Sequence, residues 1–205
     1  MTAMSNIEAR FCRSAPWRGF AGRVVLPWAI KDAPIGPRIL EIGGGSGAMA
    51  SEVLRRHPAV HLTVADIDPA MVSAAQARLA PFGPRAAAVV GDATNLDLPA
   101  GSFDTVCTWL MLHHTLDWPQ VIAEALRVAR PGGTILGYDL TNSGVARLTH
   151  RLDRSEHRLI RPEDLRSELD RLDLQSSRVE TSLGGLVMRF QGRKATTDTP
   201  ASGAA

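Results

Sequence analysis

Residues 38–50, RILEIGGGSGAMA, decide the fold. Arg38 to Ile42 is a short apolar run of the kind a buried strand needs. It breaks at Gly43 into alternating glycines, then enters a segment that predicts a helix from about Gly47 to Arg56. A strand that turns through glycine into a helix offers the helix's unpaired N–H groups to a ligand, and the missing side chains let that ligand approach the backbone. Glu41, Gly43, Gly45 and Gly47 spell E-x-G-x-G-x-G, with Gly44 between, which is more glycine than a plain strand-to-helix turn requires. The acid is the odd member, because most such loops receive a phosphate that a carboxylate at the mouth would repel.

Outward from this unit the pattern repeats. VHLTVAD (60–66) reads as a second strand, and Asp68 followed by Pro69 supplies an N-cap with proline at the first helical position, opening a helix through about Leu79. RAAAVV (85–90) is a weaker third strand, since alanine has poor β propensity, and FDTVCTWL (103–110) is a fourth. Asp117 with Gln120 resembles a capping box for a helix through about Arg130 that stops at Pro131-Gly132-Gly133, a turn into TILGYDL (134–140). Arg127 and Arg130 then read as complements to the helix dipole. A helix from Pro162 to about Leu172 follows. SSRVETS (176–182) and LVMRFQG (186–192), joined at Leu183-Gly184-Gly185, predict an antiparallel hairpin at the sheet's edge. Strands alternating with helices predict an α/β protein with a mainly parallel sheet.

Composition bounds the function. A chain of 205 residues that is 44% hydrophobic and 21% charged suits one globular domain. A formal charge of +2, with the basic residues scattered, predicts no nucleic-acid face. Cys12 and Cys107 form neither a Cys-x-x-Cys nor a Cys/His spacing, so no disulfide framework or metal site is expected, and a reducing cytoplasm fits. Glu8, Arg10, Arg13, Pro16 and Arg18 interrupt the first twenty residues, and no stretch has the apolar length of a membrane span.

Glu41 selects among ligands. A nicotinamide or flavin dinucleotide would set its pyrophosphate against this acid, at a cost of several kcal/mol for an effective dielectric of about 20. A cofactor with a sulfonium and an ammonium reverses the sign. S-adenosylmethionine has both, together with one carboxylate that the helix amides can take. Asp66, about twenty residues past the glycines at the end of the second strand, stands where an acid accepts ribose hydroxyls, a position that fits either kind of cofactor.

With these motifs in order, the chain resembles a class I S-adenosylmethionine-dependent methyltransferase of the small-molecule, type 11 kind, tightly over about Arg38 to Tyr138. The resemblance implies a Rossmann-like, doubly wound seven-stranded sheet, mostly parallel with an antiparallel last strand and helices on both faces. It also implies S-adenosyl-L-methionine as cofactor and S-adenosyl-L-homocysteine as product. By that resemblance Ile67 packs on the adenine, Asp92 of Gly91-Asp92-Ala93 takes the adenine amino group, and the N–H of Ala93 meets the ring. Asp92 has an alternative in an ordinary Asx turn. Trp109, at the end of the fourth strand, belongs either to the meeting place of cofactor and acceptor or to the core.

In-line methyl transfer asks little covalent work of a protein, and a general base matters chiefly when the acceptor must lose a proton. His113 and His114, just past the fourth strand, are the candidates; His150 and His157 lie in a late insert (142–160) expected to help shape the acceptor pocket. Asp139 and Arg18 are further candidates for lining it. The expected organisation is an N-terminal helical lid over 1–36 bearing Phe11, Trp17, Phe20 and Trp28, a methyltransferase domain over 37–192, and a flexible tail over 193–205. The expected partner is a small-molecule acceptor, with oligomeric state left open. Two other readings stand beside this one: a methyltransferase fold that binds or regulates without turnover, and an NAD(P)-dependent oxidoreductase. The second is opposed by Glu41, by the closing hairpin and by the single tyrosine, Tyr138, having Asn142 where a Tyr-x-x-x-Lys pair needs lysine.

Overall fold

The computed structural model describes residues 20–143 and 159–196. Phe11, Trp17, Arg18, His150 and His157 lie outside the described residues, as does most of the insert.

Seven strands form one sheet: β1 (Arg38–Ile42), β2 (His61–Asp66), β3 (Ala86–Val90), β4 (Phe103–Trp109), β5 (Ala129–Leu140), β6 (Leu174–Ser182) and β7 (Val187–Lys194). Their order is β3-β2-β1-β4-β5-β7-β6. The chain steps outward from β1 to β3 and then returns to lay β4 on the other side of β1, so the direction of winding reverses between β1 and β4. Crevices that hold ligands in open α/β sheets form at such a reversal, beyond the carboxyl ends of the strands. Strands β1 to β5 run parallel, and β7 alone opposes them, inserted antiparallel between β5 and the edge strand β6.

Both faces are covered, which is why β1 reads as nearly continuous apolar sequence. Alternate side chains go to opposite faces. Leu40, Ile42 and Val106 pack with α4 (Trp118–Val128) and α5 (Pro162–Leu169). Ile39, Cys107 and Trp109 pack with α1 (Leu26–Ile30), α2 (Ala48–Arg56) and α3 (Pro69–Leu79).

Asp68 caps α3 as expected, accepting from Ala70 N at 2.8 Å. The capping box at α4 does not form. Asp117 makes no side-chain cap, because Pro119 removes one of the N–H groups it would satisfy and the Gln120 amide is drawn away to Thr94 O at 3.2 Å. Helix α4 also ends earlier than expected, at Val128, and β5 begins at Ala129. Pairing shifts from Phe103–Ala129 to Thr105–Thr134, so Pro131-Gly132-Gly133 is an irregularity inside β5 rather than a turn before it. At the far end β7 runs to Lys194, whose Nζ donates to Leu126 O and Ala129 O.

The short α1 is fixed to the other end of the chain. Trp28 Nε1 donates to Ser182 Oγ at 3.2 Å, Arg189 Nη1 donates to Trp28 O at 2.5 Å, and the Arg189 guanidinium, paired with Glu180, lies over the Trp28 ring. Trp28 also meets Tyr138 edge-on, with ring centroids 5.8 Å apart.

Candidate active site

The loop after β1 turns as its glycines allow. Gly43 has φ +66, and a Cβ there would lie 2.1 Å from Met111 Cγ, so no other residue fits without moving the β4–α4 connection. Gly45 has φ +52, and a Cβ there would meet nothing within 4 Å, which leaves open space at the tip of the loop. The backbone is tied down by Gly43 N donating to Ala65 O at 2.7 Å and by Arg78 Nε donating to Ser46 O at 2.7 Å.

Glu41 is buried at 1% exposure on the face of the sheet it shares with Cys107 and Trp109. Its Oε2 has no hydrogen-bond partner among the described residues, and neither have Trp109 Nε1 and Thr108 Oγ1 at the carboxyl end of the adjacent β4. Burial pushes the Glu41 carboxyl from its ordinary value of 4.5 up to about 8; the nearby Asp66 charge adds to the rise, and the Trp109 indole opposes it. The Trp109 indole stands close enough to Glu41 to lower its pKa, while Oε2 still lacks a hydrogen-bond partner among the described residues, so a buried acid with spare acceptor capacity lies beside the glycine cradle at the reversal point of the sheet. The polar set on this face is a buried acid and an indole N–H beside a glycine cradle. It fits a cofactor that brings a cation and hydrogen-bonding polar atoms, and it disfavours a diphosphate. Burial, reinforced by Glu41, pushes the Cys107 thiol well above its ordinary range, so this cysteine is inert packing.

Asp66 has a share in building the loop. Its Oδ2 accepts from Gly45 N at 2.8 Å and its Oδ1 from Asp68 N at 3.0 Å. Burial raises its pKa, against the pull of these backbone donors. Each carboxylate oxygen has a second lone pair for a ligand hydroxyl. Ile67 follows it, half-buried. Asp92 forms the Asx turn, with Oδ1 accepting from Thr94 N at 2.9 Å and Thr94 Oγ1 at 2.8 Å; these bonds lower its pKa. Ala93 is buried.

Beyond β4, His113 is buried and His114 half-buried, their rings 4.0 Å apart. His113 Nδ1 lies 2.5 Å from Oδ1 of the fully buried Asp139 at the end of β5. Asp139 also accepts from Leu140 N at 2.6 Å and His113 N at 3.3 Å, so it acts as a carboxylate and the proton of the pair belongs on His113 Nδ1. Asp139 therefore orients a histidine instead of standing alone on a pocket wall. Trp109 packs in the core, its ring centroid 5.7 Å from that of Tyr138, and its indole lies beside Glu41. Among the described residues no group of three or more His, Cys, Asp or Glu could hold a metal ion.

Sequence reasoning missed the partners of the arginines at the end of α4 and the start of β5. Arg130 pairs with the buried Asp104, which Arg38 also contacts, and Arg127 pairs with Glu124 at 2.8 Å. Neither arginine is a mere complement to the helix dipole.

Residues 39–133 match the family described as Methyltransferase domain. The chain is 34% identical over 125 residues to the ubiquinone/menaquinone biosynthesis C-methyltransferase UbiE of Methylobacterium nodulans, covering 60% of this chain and 50% of that protein. It is 34% identical over 166 residues to the phthiotriol/phenolphthiotriol dimycocerosates methyltransferase of Mycobacterium leprae, covering 78% of this chain and 60% of that one. It thus spans about half the length, or a little more, of these curated relatives. A solved structure from Thermotoga maritima, described as a SAM-dependent methyltransferase and possible histamine N-methyltransferase, superimposes with a TM-score of 0.71 at 19% identity, over 93% of this chain and 100% of that one, a likeness of fold. The matched segment runs from the glycine loop through β4 to the start of β5, in a sheet that reverses only at β7, so over residues 39–133 the chain is similar to a methyltransferase domain.

Proposed function

We propose that this chain transfers a methyl group from S-adenosylmethionine to a small-molecule acceptor. The observation that carries the reading is the buried carboxyl of Glu41, whose Oε2 has no hydrogen-bond partner among the described residues, at the reversal point of the sheet. When bound, the cofactor supplies an electrophilic methyl on a cationic sulfur. Glu41 faces its ammonium, the N–H groups at the start of α2 take its carboxylate, Asp66 accepts from the ribose, and Ile67, Asp92 and Ala93 hold the adenine. Trp109 completes the floor of the cleft. Within the expected N-terminal cover, α1 brings Trp28 against Tyr138 and Ser182 at the carboxyl edge.

His113 is the base of this reading. Asp139 holds its Nδ1 and so fixes the orientation of the ring, His114 lies tilted against it at 4.0 Å, and the imidazole takes up the proton the acceptor loses as the new bond to the methyl forms. The relative named as a C-methyltransferase gives a carbon acceptor the same need, because a ring carbon that gains a methyl must shed its proton. Among the described residues no helix is long and apolar enough to cross a membrane, which is compatible with the expected cytoplasmic setting.

The test is calorimetric titration with S-adenosylhomocysteine and NADH, followed by label transfer from methyl-labelled cofactor to a panel of phenolic, amine and activated-carbon acceptors. Binding of the first ligand with transfer supports the reading. Binding without transfer to any acceptor favours a regulatory module, and binding of NADH instead overturns it.

A further inference from the structure

The segment that carries Asp92 and Ala93 has no regular structure of its own, yet it is stitched along its length to one face of α4. Gln120, Glu124 and Arg127 stand at i, i+4 and i+7, so they share that face. Gln120 Nε2 donates to Thr94 O at 3.2 Å, and the buried Glu124 accepts from Leu96 N through Oε2 at 2.9 Å. Arg127 Nη2 donates to Leu96 O at 2.8 Å and Nη1 to Leu98 O at 2.9 Å, while its Nε donates to Glu124 Oε1 at 2.8 Å. The far end is pinned by Gly101 N donating to Arg127 O at 3.0 Å. These bonds satisfy backbone groups of a non-helical, partly buried segment that water alone would otherwise serve. The Glu124 carboxyl is held below its ordinary value by the Arg127 guanidinium, so both members of the clamp are charged.

We propose that Glu124 and Arg127, assisted by Gln120, are positioning residues for nucleobase recognition: they fix the height at which Asp92 and Ala93 meet the cofactor's adenine, without touching it. The inference rests on the reading that the cleft holds S-adenosylmethionine. It assigns discrimination between a 6-amino and a 6-oxo purine to a helix face that carries no ligand contact. A guanidinium that holds two carbonyls fixes the segment's translation and tilt together, whereas a single point donor fixes only one of them.

The experiment measures the dissociation constants of S-adenosylhomocysteine and S-inosylhomocysteine by calorimetry for the wild type, Arg127→Met, Arg127→Lys, Glu124→Gln and Gln120→Ala, with circular dichroism to confirm folding. The wild type prefers the adenine ligand. Arg127→Met lowers that preference by about tenfold, the scale of one or two displaced hydrogen bonds at the base, and Arg127→Lys restores part of it. Gln120→Ala, at an exposed position that endangers the fold least, lowers the preference by about twofold to threefold. A structural role alone would lower the melting temperature and leave the ratio intact, so an unchanged ratio in folded Arg127→Met, or in Gln120→Ala should Arg127→Met not fold, overturns the proposal. A wild type that binds both purines equally overturns it as well. A wild type that binds neither overturns the methyltransferase reading itself.

Discussion

Replacing Glu41 by glutamine separates what the acid costs the empty fold from what it gives the ligand. A carboxyl whose native pKa is raised from 4.5 to about 8 makes folding take up a proton. Its stabilising contribution is therefore full below pH 4.5 and is lost as the pH rises through about 8. At about 1.4 kcal/mol per pH unit, that interval sets a ceiling of about 5 kcal/mol on the stability lost by pH 8. The amide does not titrate. It adds a second buried donor beside an indole N–H that is itself a donor, which costs about 1–3 kcal/mol. The ligand-free variant should then be more stable than the wild type by up to about 2–4 kcal/mol at pH 8, and the gap should close by pH 5. Urea denaturation at pH 5, 6.5 and 8 measures this. Binding moves the other way: losing a charge-assisted bond to the ligand's ammonium weakens S-adenosylhomocysteine by about 1.5–3 kcal/mol, roughly 10- to 150-fold. Calorimetry at pH 7 in two buffers of different ionisation enthalpy should show the wild type releasing close to one proton on binding and the variant releasing none. Equal proton release in the two proteins, or parallel stability profiles across this pH range, would refute the reasoning.

Asp139→Asn should leave S-adenosylhomocysteine affinity unchanged while slowing methyl transfer by about 10²-fold or more, since the amide no longer fixes the His113 tautomer; equal slowing of an acceptor that has no proton to lose would contradict this. Gly43→Ala should destabilise the fold by about 3 kcal/mol or more through positive φ and the collision with Met111, read as a drop in the urea midpoint. Asp104→Ala strands Arg38 and Arg130 and should cost about 2 kcal/mol or more. Burial works to raise the Asp104 pKa, but Arg130 and Arg38 hold it below 3.8. Its contribution is therefore complete above that value and lost as pH falls through the lowered pKa, so the variant's stability should be flatter than the wild type's on the acid side.

The parts of the molecule legible in the sequence were those that a local pattern dictates. Glycine spacing after an apolar run located the cradle, and Asp68-Pro69 located the start of α3, because both are decided within a few residues. Asp117 and Gln120 misled for the complementary reason: the spacing of a capping box was present, but Gln120 answers to Thr94, 26 residues earlier. The Pro131-Gly132-Gly133 stretch was read as a turn because proline and glycine interrupt strands, whereas the pairing of Phe103 with Ala129 draws it into β5 as a bulge. His113 and Asp139 were each noticed, but not as a pair; they are 26 residues apart and meet only because β4 and β5 are neighbours in the sheet. Arg127 was assigned to the helix dipole because nothing along α4 hints at carbonyls 29 and 31 residues upstream.

The bond from Arg189 to the carbonyl of Trp28 spans 161 positions of chain. On the ribosome α1 emerges early and finds its packing on the sheet face as β1 to β5 are made, but its tie to β7 forms only once residue 189 is out. A nascent chain halted before residue 189 would hold α1 by apolar packing alone, without the guanidinium that fixes the Trp28 carbonyl and covers its ring.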